Sequence, residues 1–279
     1  MTKLVRNFLI WPGWNRILKF KYRRPVQLGN DLRMYAYSED ILGRLVWLEG
    51  PMNAYFWEPG ATKLLEKLIR DARVSLIAGA HIGYTVLMAA KASGGNAKIY
   101  TFEPVPELYE LARKNIELNS LSEKVVLTPV ALSNKEGLVA MSVDGLRSSV
   151  NEGKRGEVKA VSIDSFWAEN HIAKIDFMLL DVEGFEKEVF EGAKEQFAAG
   201  GPRDIIFELS PRNERELANF PWVRNFLETR GYKLHVIEDN YELEPNWKPP
   251  QPTLYKLLDV SKFLHMRYMN ILATRRTDV

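Results

Sequence analysis

The sequence predicts a doubly wound α/β fold, a mostly parallel sheet with helices on both faces. Three observations predict it. Short apolar runs alternate with segments of helical period from residue 62 to residue 209. Such alternation joins strands through right-handed crossovers into a parallel sheet. The runs are short and mostly apolar, as strands buried on both faces are. Finally, several runs end on a glycine or an acid, where ligands of such sheets bind.

The elements follow in order. Residues 32–37 (LRMYAY) and 44–48 (RLVWL) read as short strands, the first alternating in pattern. Residues 62–71 have helical spacing, 74–78 (VSLIA) form an apolar run ending at Gly79, and 84–92 read as helix. Residues 98–103 (KIYTFE) form a strand, and 106–119 a strong helix with Pro106 suited to its first turn. Residues 125–127 start another strand. Residues 177–181 (FMLLD) and 204–209 (DIIFEL) are two more buried strands, joined by one helix from near Phe185 to Gly200. Residues 137–143 and 157–163 alternate in period two around a Gly/Ser/Asn-rich stretch, which predicts a hairpin excursion. Residues 232–237 and 268–274 predict a closing antiparallel pair. The four prolines of 244–252 exclude regular structure and leave a surface loop, readable as a lid.

At 279 residues the chain buries one α/β domain with additions. The boundaries read as an extension with short strands over 1–49 and the main domain over 50–279. Without cysteine there is no disulfide framework, thiolate metal site or cysteine nucleophile. No apolar run reaches the roughly 18 residues of a membrane span, and charges break up any secretory leader. These features fit a cytoplasmic protein. Residues 1–24 carry seven positive charges and no acid, against +2 for the whole chain, so the remainder is net −5. An acidic body argues against nucleic acid as a partner.

Two strand ends outline a nucleoside site. Gly79-Ala80-His81-Ile82-Gly83 follows the first apolar run, where glycines permit a tight turn and close approach of a ligand. Simple helix–strand packing also produces such a pair. Glu103 ends the next strand, 20 residues past Gly83, where an acid accepts hydrogen bonds from ribose hydroxyls. The loop lacks both the G-x-G-x-x-G spacing and the lysine of a phosphate loop, which argues against NAD and ATP.

The blocks IAGAHIGYTVLMAA, IYTFEPVPELYELARKNIELN, VALSNKEG, VSIDSFW, LLDVEGFEKEVFEGA and IIFEL stand in an order that resembles the FkbM family of methyltransferases. The resemblance covers roughly residues 50–275. It implies a seven-stranded Rossmann-like methyltransferase sheet with a β-hairpin insertion and an N-terminal extension. The implied reaction is O-methylation of a sugar, glycan or related hydroxyl, with S-adenosylmethionine as donor. By the same carry-over Gly79, Ala80 and Gly83 line the methionine and ribose, Glu103 binds the ribose, and Ala131 with Leu132 flanks the adenine; His81, in the same loop, touches the cofactor or acts as a base. Three positions depart from the family pattern. Ile77 stands where the family has an acid, His81 where it has asparagine, and Leu179 where it usually has lysine. The departures leave a second reading open, a catalytically inactive binding protein that keeps the fold.

Methyl transfer to oxygen needs an oriented acceptor and removal of its proton. Asp181, Glu183 and Glu208 lie at or near the ends of two apolar runs and are the candidate catalytic acids. They serve as bases, or as a pair holding a divalent ion that lowers the acceptor's pKa; alternatively Asp181 or Glu183 caps the following helix. No motif with metal-ligand spacing occurs, so no metal ligands are assigned. His171, His235 and His265 read as packing or surface residues. Arg147, Ser148 and Ser149 sit in the hairpin connection, overhanging the acceptor pocket or simply solvated. Trp222 and Trp247 suit sugar stacking or core packing. The basic arm mixes its charges with Trp11, Trp14 and Phe20, so it either contacts an anionic membrane surface peripherally or packs as a leading helix.

Overall fold

The structure, a computed structural model, describes residues 24–29, 31–37, 41–51, 53–144, 147–149, 155–172, 174–211, 213–239, 252–257, 262, 266 and 268–277. The basic arm up to residue 23, the proline-rich loop over 244–251 with Trp247, and His265 lie outside them. The chain opens with a two-stranded antiparallel pair, β1 (Val26–Gln27) and β2 (Arg33–Met34). The strand expected over 44–48 is instead part of helix α1 (Ile41–Leu48). Its window is short enough to fit either period. Leu42, Leu45 and Val46 fall on one buried face at helical spacing, while Trp47 points out. Helix α2 (Pro59–Leu68) follows, with Pro59 in its first turn.

Eight strands form the main sheet: β3 (Val74–Ala78), β4 (Lys98–Phe102), β5 (Val125–Thr128), β10 (Phe177–Leu180), β11 (Asp204–Leu209), β12 (Lys233–Ile237), β13 (Leu254–Lys256) and β14 (Met269–Thr274). Their order is β13-β12-β14-β11-β10-β3-β4-β5. β5, β4, β3, β10 and β11 run parallel, and β14 lies antiparallel between β11 and β12. The fold is therefore the doubly wound α/β sheet, with one strand more than the seven expected. The extra strand is β13, paired to the edge of β12. It is too short and too exposed to show in the hydrophobic pattern. Strand order reverses between β3 and β10, the position where doubly wound sheets bind ligands.

Alternate residues of the strands feed two cores. One face carries Ile77, Ile99, Leu179, Ile206 and Leu272 beneath α1, α2, α3 (Tyr84–Ala92) and α4 (Pro106–Leu118). Leu28, Leu32 and Met34 of the leading segment join this core. The other face carries Leu76, Phe102, Leu180, Phe207 and Ile271 beneath α5 (Ile163–Glu169), α6 (Glu186–Glu191), α7 (Lys194–Ala198) and α8 (Glu214–Glu228). Each such fully buried side chain contributes about 1.5–3 kcal/mol. The single helix expected between β10 and β11 is two. Gly192 ends α6 before α7 begins, and a Cβ there would stand 2.2 Å from the Ser133 carbonyl oxygen, so the position admits only glycine. The Asp164 carboxylate then accepts the Glu195 and Gln196 amides at 2.9 and 3.0 Å and starts the next turn.

The hairpin excursion is a small sheet of its own. β7 (Gly137–Asp144) pairs antiparallel with β9 (Arg155–Val161) and with β8 (Arg147–Ser149), and β6 (Ala131–Leu132) joins β9 in parallel. It hangs from the end of β5 and so stands at the same sheet edge as the predicted nucleoside site.

Candidate active site

The glycine loop is shaped by contact with the neighbouring strand end. Gly79 has φ 84°, and a Cβ there would fall 1.9 Å from the Asp181 carbonyl oxygen. Only glycine lets the loop lie this close to the end of β10. The Gly79 and Ala80 amides both donate to the Phe102 carbonyl, at 3.1 and 3.0 Å. Gly83, at φ 96°, starts α3, and His81 between them is also left-handed at φ 48°.

Glu103 is buried at 2% exposure directly behind this loop. Its Oε2 accepts the His81 amide at 2.8 Å and its Oε1 the Val105 amide at 3.0 Å. Each oxygen is thus held by one donor and keeps a second lone pair. Burial raises the carboxyl above its ordinary range, while the two amides and the charge of His81 oppose that shift.

A cleft of about 640 Å³, open to solvent, runs along these strand ends. Of the predicted residues, Gly79, Glu103, Ala131, Leu132, Asp181 and Glu183 line it. One end is apolar, made by Pro104, Val130, Leu132 and Val139, the last from the inserted sheet. The other end is acidic. Among the described residues no lysine or arginine lines the cleft. Phe185, also in the wall, is held by the Arg215 guanidinium 4.0 Å from its ring centre. Ala80, His81, Gly83 and Glu208 do not line the cleft. The first three build the turn behind it, and Glu208 faces a smaller cavity of about 250 Å³ with Glu186 and Glu216.

The acidic end is richer than the sequence reading anticipated. Asp181 is pushed up to about 7, first by burial and then by Glu183, with His81 opposing. Glu208 is raised well above the usual range by burial and by Asp181, Glu58, Glu183 and Glu186. Glu186 reaches about 8 through burial and the nearby Glu216. No described residue donates a hydrogen bond to the carboxyl of Asp181 or Glu208. Neither Asp181 nor Glu183 caps the following helix. The residue at that cap is Phe185, which makes no side-chain cap hydrogen bond. Glu183 instead takes φ 52° beside Gly184 at φ 96°, a left-handed pair that turns the chain at the strand end.

Two acids went unnoticed in the sequence. Glu58 precedes α2 in a left-handed conformation, and burial raises it to about 8, reinforced by Asp181 and Asp239. Asp239 follows β12 and caps α2, accepting the Gly60 and Ala61 amides at 2.7 and 3.1 Å. An acid after an apolar run was the signal used for Glu103 and Asp181, and it applied equally to Asp239. Nothing local marks Glu58 beyond the proline that follows it. Among the described residues no three His, Asp or Glu side chains are grouped to hold a metal ion.

The remaining candidates are placed as follows. Trp222 stacks on Phe226 at 5.0 Å within the helical layer, so it packs rather than facing the cleft. His171 occupies an exposed turn after α5, and His235 lies on β12. Arg147, Ser148 and Ser149 form β8 at the outer edge of the inserted sheet. No described helix is long and apolar enough to cross a membrane.

Comparison with known proteins adds the family. Residues 78–234 match the methyltransferase FkbM domain, more than half of the chain. A protein-L-isoaspartate O-methyltransferase of Methanococcoides burtonii is 30% identical over 107 residues, 38% of this chain and 51% of that protein. The chain thus matches about half the length of this curated relative. Among solved structures, an O-methyltransferase of Bacillus cereus in complex with SAH is 13% identical with a TM-score of 0.47. The match covers 80% of this chain and 84% of that one. An O-methyltransferase of tomaymycin synthesis from Streptomyces achromogenes, in complex with SAM, is 13% identical with a TM-score of 0.44, covering 77% and 79%. The domain match takes in the glycine loop, Glu103, Ala131, Leu132 and the D-V-E-G turn, and on it the chain belongs to the FkbM-domain methyltransferases.

Proposed function

We propose that this methyltransferase uses S-adenosylmethionine to methylate a hydroxyl of a sugar, glycan or related small molecule. The observation that carries the reading is the polarity of the cleft, apolar at one end and acidic at the other, with Glu103 between them. An adenosyl sulfonium has the same order of parts: a flat base, a ribose diol, and a positively charged sulfonium that carries a zwitterionic amino-acid tail. Pro104, Leu132 and Val139 would enclose the base. Glu103, with one lone pair left on each oxygen, would accept from the diol. The Gly79–Gly83 loop brings backbone to the ligand where no side chain intervenes. When bound, the donor supplies an electrophilic methyl group.

The chain's own contribution is to hold the acceptor and take its proton. Asp181 suits that part because it lines the cleft, accepts no hydrogen bond from a described residue, and has an affinity for protons near neutrality. A base with that affinity is mostly ready above pH 7 and binds a proton firmly enough to remove it. Glu183, exposed at the rim, would orient the hydroxyl.

The test is methyl transfer from labelled S-adenosylmethionine to a panel of monosaccharides, glycosides and other small hydroxyl compounds. Asp181→Asn keeps the shape and removes the base. Turnover should fall about a hundredfold, with donor affinity within a few-fold of the parent. Unchanged turnover would take Asp181 out of the proton transfer. Transfer only to non-hydroxyl acceptors would overturn the O-methylation reading.

A further inference from the structure

We propose that Phe185 is the platform on which a pyranose ring of the acceptor stacks. The inference rests on the methyl-transfer reading above and narrows its acceptor to a sugar ring, selected by a residue to which that reading gives no part.

Phe185 is an aromatic side chain with no place in the interior. Phe102, Phe190 and Phe207 are buried in the core on that side of the sheet, and Val182, in the same turn as Phe185, packs against it. Among the described residues Phe185 packs into neither core. It is half-buried and lines the cleft instead. A phenyl ring has a large apolar area to remove from water, and a ring left in a cleft wall recovers that area when a ligand covers it.

One side of the ring is already taken. The Arg215 guanidinium lies 4.0 Å from the ring centre, and its Nη2 donates to Glu188 at 2.7 Å. Arg215 does not line the cleft, so it backs the ring and leaves the other side to the ligand. The mounting is firm at both ends. The Phe185 amide donates to the Val182 carbonyl at 3.3 Å and closes the turn of Glu183 and Gly184, and its carbonyl accepts the Val189 amide at 2.9 Å at the start of α6. Asn213 accepts the Arg215 amide at 3.1 Å and fixes the start of α8. A stacking surface has to be held in this way if it is to orient a ligand.

The arrangement also decides which kind of ligand suits the ring. A cation on one face of a ring repels a second cation on the other, so the donor's sulfonium gains little from Phe185. A neutral ring meets no such opposition. A pyranose carries C–H groups on its faces and hydroxyls around its rim. Phe185 stands two residues after Glu183 and four after Asp181, and all three line one cleft. A pyranose lying on the phenyl ring would turn its rim hydroxyls toward those carboxylates, one hydroxyl to Asp181 and a neighbour to Glu183. An acyclic polyol has the hydroxyls without the face, and a phenol has the face without the rim.

Initial rates with labelled S-adenosylmethionine test this on the full chain. The acceptor probes are the methyl pyranosides of glucose, galactose, mannose and rhamnose, with mannitol and catechol as acyclic and aromatic controls. The parent should methylate at least one pyranoside in preference to both controls. Phe185→Leu should raise KM for that pyranoside about five- to tenfold, with kcat and the calorimetric affinities for S-adenosylmethionine and S-adenosylhomocysteine within about twofold of the parent. Phe185→Tyr, which keeps the ring, should recover most of the loss. Because the ring belongs to neither core, the melting temperature of Phe185→Leu should stay within about 2 °C of the parent, and a much larger fall would make Phe185 a packing residue, against the proposal. Weaker donor binding in Phe185→Leu would set the ring against the donor, and an unchanged KM would remove it from the acceptor; either result overturns the proposal. A parent that binds the donor but methylates no pyranoside, or prefers mannitol or catechol, would overturn the pyranose assignment and leave the donor reading standing. A parent that binds no donor would sink the donor reading itself.

Discussion

At the scale of single residues, the departures at Ile77 and Leu179 are neighbours in the sheet. The two are register partners on adjacent parallel strands, β3 and β10, and both are buried in the same core. Where the family pattern places an acid and a lysine, this chain has an apolar pair. Exchanging a buried ion pair for packed hydrophobic residues is often neutral or stabilising. Ile77→Asp alone should then destabilise the fold by about 3 kcal/mol or more, with no rescue by cofactor. Thr101, the other register partner of Ile77, offers its unpartnered hydroxyl as partial relief. Adding Leu179→Lys should recover about 1 kcal/mol or more of the loss, a coupling read from thermal or urea melts of the four proteins. Strictly additive losses would show that the two positions changed independently. The sequence displayed both departures, but not that they touch, because register is a tertiary property.

At the scale of elements, the parallel strands and their helices were legible because each satisfied one period over its whole length. Tyr84–Ala92 and Asp204–Leu209 have the bounds expected of them. The misreadings share a cause. Residues 44–48 were too short a window to separate a strand from one face of α1, and β13 has only three residues with little burial. The break between α6 and α7 falls at Gly192, where Ser133, distant in the chain, approaches too closely for a side chain. The site divides in the same way. Glu103, Asp181 and the glycine loop were visible as punctuation after strands. Glu58 was not, since its neighbourhood with Asp181 and Asp239 arises only through the docking of the α2 entry against α3.

At the scale of the whole molecule, the acidic end makes stability depend on pH. Glu58, Asp181, Glu186 and Glu208 all bind protons more tightly folded than unfolded, with Glu103, Glu216 and Asp239 shifted the same way. Groups raised in the folded state make the fold lose stability as pH climbs from their unfolded values, about 4, through their folded values of about 7 to 8. Glu208→Gln removes one such charge without removing a hydrogen bond from a described residue. Its melting temperature should exceed the parent's by about 2–4 °C at pH 8, and the gap should close toward pH 4. A gap that widened on acidification would show that Glu208 is ionised and stabilising in the fold. A site that costs its own fold stability is what a ligand-binding end of the sheet looks like before the ligand arrives.

The account depends most on the cleft taking an adenosyl sulfonium with Glu103 on its ribose. Titration of S-adenosylmethionine into the full chain and into Glu103→Ala measures this directly. One saturable site in the parent, and binding about ten- to a hundredfold weaker in the variant, is the predicted result. A parent chain that gives no binding heat and no thermal shift with S-adenosylmethionine, or a variant that binds it equally well, would contradict it.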